Sequence, residues 1–352
     1  MRDLAILADD LTGALDAAAP FASPGKPVEA TWTRPPEGDC ALDTESRHDD
    51  EAAAIDRMSA FLPMLADSRI ALKKVDSLLR GNTFAELAAC AKSGLFDTIC
   101  VAPAFPAQGR TTVDGVQCVA GKPEISIVDA LDARDIAAAV LPAGVAPGER
   151  GVFVCDADGD ADLDRLVRNA SGRRVLWCGS AGLARAMAGR PPAPAWASPT
   201  LAIIGSRHAV SRAHAATLSR DLGTGAVAAS DAAAIPALTD ALRTHGRAAL
   251  LLNLPDMSPD CAEQRCRDTF GALVDSGVRP AAIIVVGGNT LLCLVQSLDA
   301  ASLCVLGERS PGLPVSRIRG GRWNGCRVIS KSGAFADAGL FVEFIEQDSQ
   351  SV

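Results

Sequence analysis

The sequence predicts an α/β protein made of two three-layer α/β/α domains with mostly parallel sheets. Three observations predict it. Short apolar runs alternate with longer helical patterns along the whole chain. The polar signatures fall at the ends of the apolar runs. One proline-rich segment interrupts the pattern, which then restarts. With 352 residues, the chain is long enough for two domains of roughly 100–200 residues each.

The elements follow in order. Residues 4–8 read as a buried strand and 11–22 as the helix after it. Strands are expected over 70–74, 98–102, 151–155 and 175–178, with helices over 83–93, 162–169 and 181–187 between them. Residues 190–200, RPPAPAWASPT, carry four prolines, which no helix or central strand accepts. This stretch is read as a linker of about 190–199 between a first domain over 1–190 and a second over 199–352. The pattern restarts with a strand over 201–204 and the helical stretch GSRHAVSRAHAATL. Strands over 248–253, 282–286, 305–306 and 327–330 and helices over 263–275 and 338–346 complete the set.

Composition removes several functions. Hydrophobic residues make up 48% of the chain and aromatics only 4%, which fits helices packed through small side chains. The formal net charge of −8 argues against nucleic-acid and anionic-membrane partners, which need a basic field. The 11 cysteines form no CxxC pair and sit mostly in apolar runs. They read as buried thiols of a reducing compartment. No apolar stretch is long enough to span a bilayer, and MRDLAILADD lacks a signal-peptide pattern, so a cytoplasmic location is expected.

The chemistry sits at strand ends, where doubly wound sheets bind ligands. In ADDLTGALD, Asp9 and Asp10 follow the first strand, and Thr12 and Gly13 open a helix. Two adjacent carboxylates there suit general-base or metal work, although Asp10 also reads as a helix N-cap. In DTESRHDD, Ser46 and Arg47 could clamp a carboxylate, but a surface loop is the simpler reading. KKVDSLLRGN gathers Lys73, Lys74, Asp76, Ser77 and Arg80. If the strand continues, Lys74 and Asp76 share a face, and the group makes an anion site; the plainer reading is a solvated salt-bridge patch. APAFPAQGRTTVDGVQ, with Arg110 and Asp114, suits a rigid pocket wall. In the second half, Gly205, Gly287 and Gly288 end apolar strands and allow close approach to a phosphate, and SKSG adds Lys331. His208 neighbours Ser206 but reads as a surface histidine. No Walker A or dinucleotide fingerprint is present.

Taken together, LADDLTGALDAAAPFA, DTESR, KKVDSLLRGN, APAFPAQGRTTVDGVQ, GSAGLARAMA, IIGSRHAVSRAH, VVGGNTLLCLV, SPGLPVSRI and VISKSGAF resemble, in that order, the four-carbon acid sugar kinases. The resemblance spans nearly the whole chain. It implies an N-terminal domain that holds the acid sugar, a C-terminal domain that holds ATP, and an active site in the interdomain cleft. The implied activity is ATP-dependent phosphorylation of the terminal hydroxyl of threonate, erythronate or 3-oxo-tetronate, with Mg²⁺. On the substrate side it implies Asp10, Arg47, Lys74, Val75, Asp76 and Ser77, with Arg80 near by. On the nucleotide side it implies Ser206, Gly287, Gly288, Asn289, Thr290 and Gly333. Asp10 is the favoured base, ahead of Asp9 and Asp76; no metal ligand is assigned. The expected partners are the acid sugar and ATP, and a homodimer is left open. Two alternatives stay open: a kinase of another small aldonate, and a weakened ligand-binding or regulatory member of the same fold. Asn289 in place of the family's acid, and Ala334 and Ala336 in place of glycines, motivate the second; the stretch after Gly121 is shortened, which implies a different substrate pocket.

Overall fold

The computed structural model describes residues 2–189, 193–194, 200–254, 258–335 and 339–346. The chain forms two compact units, Met1–Pro192 and Ala193–Val352. Most of the expected linker lies outside the described residues.

The first unit runs β1 (Arg2–Ala8), α1 (Leu11–Ala18), β2 (Val28–Thr31), β3 (Cys40–Asp43), α2 (Glu51–Ser59), α3 (Leu62–Ala66), β4 (Ser68–Lys74), α4 (Thr83–Lys92) and β5 (Thr98–Ala102). It continues β6 (Arg110–Val113), β7 (Val116–Val119), β8 (Lys122–Ser126), α5 (Ile127–Asp132), β9 (Ala138–Leu141), β10 (Gly151–Cys155), α6 (Asp160–Asn169), β11 (Leu176–Gly179) and α7 (Ala181–Ala188). Its sheet has the order β2-β3-β1-β4-β11-β5-β10-β9, and every neighbouring pair is parallel. Residues 4–8 of β1 are all buried, as a strand covered on both faces requires. One core packs Met58, Leu62, Leu65, Leu87 and Leu131 from α2 to α5 against Leu7, Leu42, Val101 and Leu176 from the strands. Helices α1 and α7 pack on each other.

The second unit runs β12 (Leu201–Ile204), α8 (Ala209–Leu222), β13 (Ala226–Ala229), α9 (Ile235–His245), β14 (Ala248–Leu252), α10 (Pro259–Asp275), β15 (Ala282–Val286) and α11 (Gly288–Ser297). It closes with β16 (Ser302–Glu308), β17 (Pro314–Arg319), β18 (Arg327–Lys331) and α12 (Gly339–Glu346). Strands β13-β14-β12-β15-β18 are parallel, and β17 and β16 extend the sheet antiparallel. The mostly parallel α/β architecture is therefore present, with a local meander that the sequence pattern did not separate.

Several boundaries differ for local reasons. The first helix stops at Ala18 and tightens into a 3-10 turn over Ala19–Phe21, because Pro20 supplies no N–H. The stretch GSRHAVSRAHAATL becomes helical only at Ala209, where His208 accepts the Val210 N–H as cap. His208 itself is exposed. The APAFPAQGRTTVDGVQ segment is a β6–β7 hairpin whose Asp114 (φ 51°) and Gly115 (φ 74°) form the turn. The shortened stretch closes in the same way at Ala120 (φ 49°) and Gly121 (φ 77°), between β7 and β8. The expected start of the last helix at Ala338 lies outside the described residues. All the cysteines are free thiols; nine are buried, Cys118 is half-buried and Cys261 is exposed.

Candidate active site

Strands β3, β1 and β4 lie side by side, with Ala8 level with Asp43 and Leu7 level with Lys73. Their carboxyl ends therefore deliver Asp9–Asp10, Thr44–Arg47 and Val75–Arg80 to one edge. Arg47 is the hub. Its Nε and Nη2 donate to the two oxygens of Asp9 at 2.8 Å each, and its Nη1 donates to Asp10 Oδ2 at 2.5 Å. Its Nη2 also lies 3.7 Å from Asp76 Oδ1. Arg80 makes a second fork, with Nε and Nη2 each 2.7 Å from the Asp76 oxygens. Such bidentate charged pairs fix both distance and plane.

DTESR is thus not a surface loop. Asp43, Thr44 and Ser46 are buried, and the Arg47 side chain is only 12% exposed. Nor is KKVDS a solvated patch, since Lys73, Lys74, Asp76 and Ser77 are all buried. The strand ends at Lys74, so parity does not bring Asp76 to Lys74. A turn does: Asp76 Oδ2 accepts the N–H groups of Leu78 at 3.1 Å and Arg80 at 3.3 Å.

Asp10 does cap α1, through Oδ1 and the Gly13 N–H at 2.8 Å. Its Oδ2 takes Thr12 Oγ1 at 2.9 Å as well as Arg47. A Cβ on Gly13 would stand 2.5 Å from Asp10 Oδ1 and 3.3 Å from Lys74 Nζ, so the absent side chain lets these two approach. The Lys74 ammonium donates to the Val75 carbonyl at 2.7 Å. Of the three carboxylates, Asp10 is the most open to solvent, at 11% against 3% for Asp9 and 7% for Asp76.

Electrostatics follow from burial and partners. Burial alone would raise Asp9, but Arg47, with Lys73 and Lys74 behind it, holds its carboxyl below the usual carboxylate range. Asp76 is likewise held low against burial by Arg80 and Arg47. Burial is opposed in Arg47 by Asp10, Asp9 and Asp76, which push its pKa up. Asp16 behaves oppositely. Burial in α1 raises it to about 7, and its Oδ1 has no hydrogen-bond partner among the described residues. Asp43 is also pushed up by burial.

Four residues beyond the sequence candidates belong to this assembly. Asp16 and Glu86 are acids inside apolar helical runs, LTGALDAA and TFAELAAC, and that mismatch is the signal by which they could have been found. Gln117 on β7 donates to the Ser77 carbonyl at 2.8 Å and props the turn. Ser180 donates to the Ala104 carbonyl at 2.7 Å and accepts the Gly182 N–H, locking α7 to the segment after β5.

The second unit has its own strand-end site. Strands β12, β15 and β18 are neighbours, with Ile204 level with Val286 and Val286 with Lys331. Ser206, Gly287–Thr290 and Gly333 follow them. Thr290 Oγ1 sits where a Cβ on Gly205 would be, at 2.2 Å, and is 3.1 Å from one on Gly287. Ser206 Oγ would be 1.9 Å from a Cβ on Gly333. Gly287, at φ +111°, opens α11 without a side-chain cap. The first N–H groups of that helix suit an anion. Asn289 is exposed, Ala334 is buried, and Ala336 lies outside the described residues.

A model of a sugar-binding N-terminal domain matches residues 4–126. A D-threonate kinase of Cupriavidus necator is 33% identical, covering 94% of this chain and 94% of its own length. The chain belongs to the four-carbon acid sugar kinase family. A D-threonate kinase of Bordetella bronchiseptica, 28% identical over 96% of each chain, is a further relative in this acid sugar kinase family. The membership makes the chain a phosphotransferase with a hydroxyl acceptor. Two solved structures share the fold at 17% identity. One, from Salmonella typhimurium LT2 and solved under the description of a tRNA synthase, has a TM-score of 0.71 and covers 97% of this chain and 98% of its own. The other, a DUF1537 protein of Haemophilus influenzae, has a TM-score of 0.66 and covers 98% and 100%.

Proposed function

We propose that the protein is an ATP-dependent kinase of a four-carbon acid sugar, threonate, erythronate or 3-oxo-tetronate, acting on the terminal hydroxyl. The observation that carries this reading is the Asp9–Arg47–Asp10 cluster, which leaves one carboxylate partly open beside a buried lysine. Asp10 orients the acceptor hydroxyl and takes its proton. Lys74 and Arg80 meet the negative charge of the acid sugar and of the transferring phosphoryl group. Arg47 has committed its donors to Asp9 and Asp10. Its part in this reading is to hold those carboxylates charged and aligned, ahead of binding the substrate carboxylate as the resemblance implies. Phosphoryl transfer depends mainly on such positioning and charge neutralisation.

The second unit is the nucleotide side. Its glycines leave no room for Cβ atoms at Gly205 and Gly333, and the uncapped start of α11 offers N–H groups; this fits ATP phosphates. The backbone of Gly288, Asn289 and Thr290 and the hydroxyls of Ser206 and Thr290 would hold them. Among the described residues, no group of three His, Cys, Asp or Glu side chains could hold a metal ion. Mg²⁺ fits as a companion of the phosphates, where it neutralises the charge that develops on transfer. No helix among the described residues is long and apolar enough to cross a membrane; a cytoplasmic location and a homodimer belong to this reading as well.

The test is ADP release with Mg·ATP against D- and L-threonate, D- and L-erythronate, their oxo derivatives and glycerate. Turnover of one four-carbon acid well above the ATPase background supports the reading. Preference for a three-carbon acid moves it to another aldonate, and ATP binding without turnover moves it to a weakened member.

A further inference from the structure

The Arg47 hub rests on a buried platform built from Lys73, Glu86, Ser46 and Asn82. Lys73 Nζ and Glu86 Oε2 form an ion pair at 2.7 Å, with side chains 0% and 1% exposed. The other oxygen of Glu86 accepts Ser46 Oγ at 2.5 Å. Asn82 Nδ2 donates to the carbonyls of Ser46 and Asp49, each at 3.0 Å. Gly81, at φ +69°, lies so close that a Cβ there would be 2.9 Å from the Arg47 carbonyl and 3.0 Å from Arg47 Cγ. Gly81 and Asn82, just before α4, and Glu86, in its first turn, therefore grip Ser46, Arg47 and Asp49 of the loop after β3. The Arg47 N–H, donating to the Asp9 carbonyl at 3.2 Å, closes the same loop onto β1.

A buried ion pair is a poor source of net stability, because desolvation offsets its attraction. It is a good source of geometry, because each partner is held on a second side as well, Lys73 Nζ donating to the Lys74 carbonyl at 3.1 Å and Glu86 accepting from Ser46. We infer that Glu86, anchored by Lys73 and acting through Ser46, is a positioning residue that sets the Arg47 guanidinium against Asp9 and Asp10. Gly81 and Asn82 complete the grip. This gives Gly81 and Asn82, the last two residues of KKVDSLLRGN, a role separate from that of Asp76 and Arg80: they build the wall behind Arg47.

The inference rests on the kinase reading for its kinetic consequence only. Its test has one readout that needs no substrate. Ser46→Ala removes the link and leaves the Lys73–Glu86 pair intact. Asn82→Ala loosens the same loop from the other side, should Ser46→Ala fail to fold. In the full-length protein, the Arg47 Nε–H resonance, assigned by its loss in Arg47→Lys, is followed for exchange with solvent. The fork to Asp9 protects it in the wild type, and the variant should exchange faster by about tenfold or more at a near-unchanged melting temperature. On whichever aldonate the wild type turns over, kcat should fall by roughly 10- to 100-fold while KM for ATP stays within about threefold. Wild-type exchange of Arg47 in a folded variant overturns the positioning role. Absence of any turnover by the wild type instead counts against the kinase reading and leaves the exchange result standing.

Discussion

The two strand-end sites share a plan and differ in chemistry. In each, three neighbouring parallel strands deliver three loops to one edge. In the first unit the loops are locked by charge: Arg47 forks onto Asp9 and Asp10, and Arg80 onto Asp76. In the second they are locked by shape: the hydroxyls of Thr290 and Ser206 fill the spaces left by Gly205 and Gly333. A hydroxyl acceptor needs a directed base and cations at fixed distances. A polyphosphate needs N–H groups and close backbone approach, which side chains would obstruct. On the proposed reading, the same fold would serve two ligands by changing the loops at the carboxyl ends of its strands.

Four changes test that contrast, in falling order of expected effect. Asp10→Asn removes the proposed base while keeping an oxygen to cap the Gly13 N–H. It should lower kcat by about 10³-fold and leave KM for the acid sugar within a few-fold. Wild-type kcat in steady-state assays would move the base elsewhere.

Asp16→Asn probes the one acid near this cluster that is pushed up to about 7. A carboxyl raised in the folded state destabilises it once the unfolded chain ionises. Wild-type stability should therefore carry a loss that grows between about pH 4 and pH 7, on the order of 4 kcal/mol, and Asp16→Asn should remove it. Denaturant melts of both proteins at pH 4.5 and pH 8, values of about the two ends of that window, give the difference; an equal gap at both pH values contradicts the assignment.

Gly333→Ala places a methyl 1.9 Å from Ser206 Oγ and 2.7 Å from its Cβ, so rotating the hydroxyl alone cannot relieve it. KM for ATP should rise roughly 10- to 100-fold, with acid-sugar binding by calorimetry unchanged. If both ligands weaken equally, the division between the units fails.

Asn289→Asp is the smallest. Asn289 is exposed at the second residue of α11. A carboxylate there should stabilise the helix by about 0.5 kcal/mol through its dipole, read as a small rise in Tm, and should change KM for Mg·ATP by less than about fivefold. A gain in turnover of a hundredfold would instead show that the acid is the missing part of a weakened site.

The alternation of apolar runs and helical patterns made the parallel strands legible, because segments buried on both faces, such as residues 4–8 of β1 and all of β15, are uniformly apolar. The β6–β7 hairpin was hidden although Asp114-Gly115 is a hairpin signal, since its strands are short and half-exposed. At the site, the motifs gave the residue types, and Asp10 was readable as both cap and candidate base. Burial was not readable. DTESR looks like a surface loop because it is polar, yet its partners are buried or nearly so: Thr44 Oγ1 donates to the Ala8 carbonyl, Arg47 to Asp9 and Asp10, and Ser46 Oγ to Glu86, forty residues away. Sequence spacing cannot show a pairing made across two loops, so the Ser46–Glu86 link and the commitment of Arg47 to the aspartates appear only in three dimensions.

The most direct measurement is a ³¹P NMR spectrum of the protein incubated with Mg·ATP and D-threonate, then with the other four-carbon acids. A new phosphate monoester signal is expected, split by two equivalent or near-equivalent methylene protons and growing in step with ADP, which would place the phosphoryl group on the terminal hydroxyl. ADP accompanied only by inorganic phosphate, with every acid recovered unchanged, would contradict it.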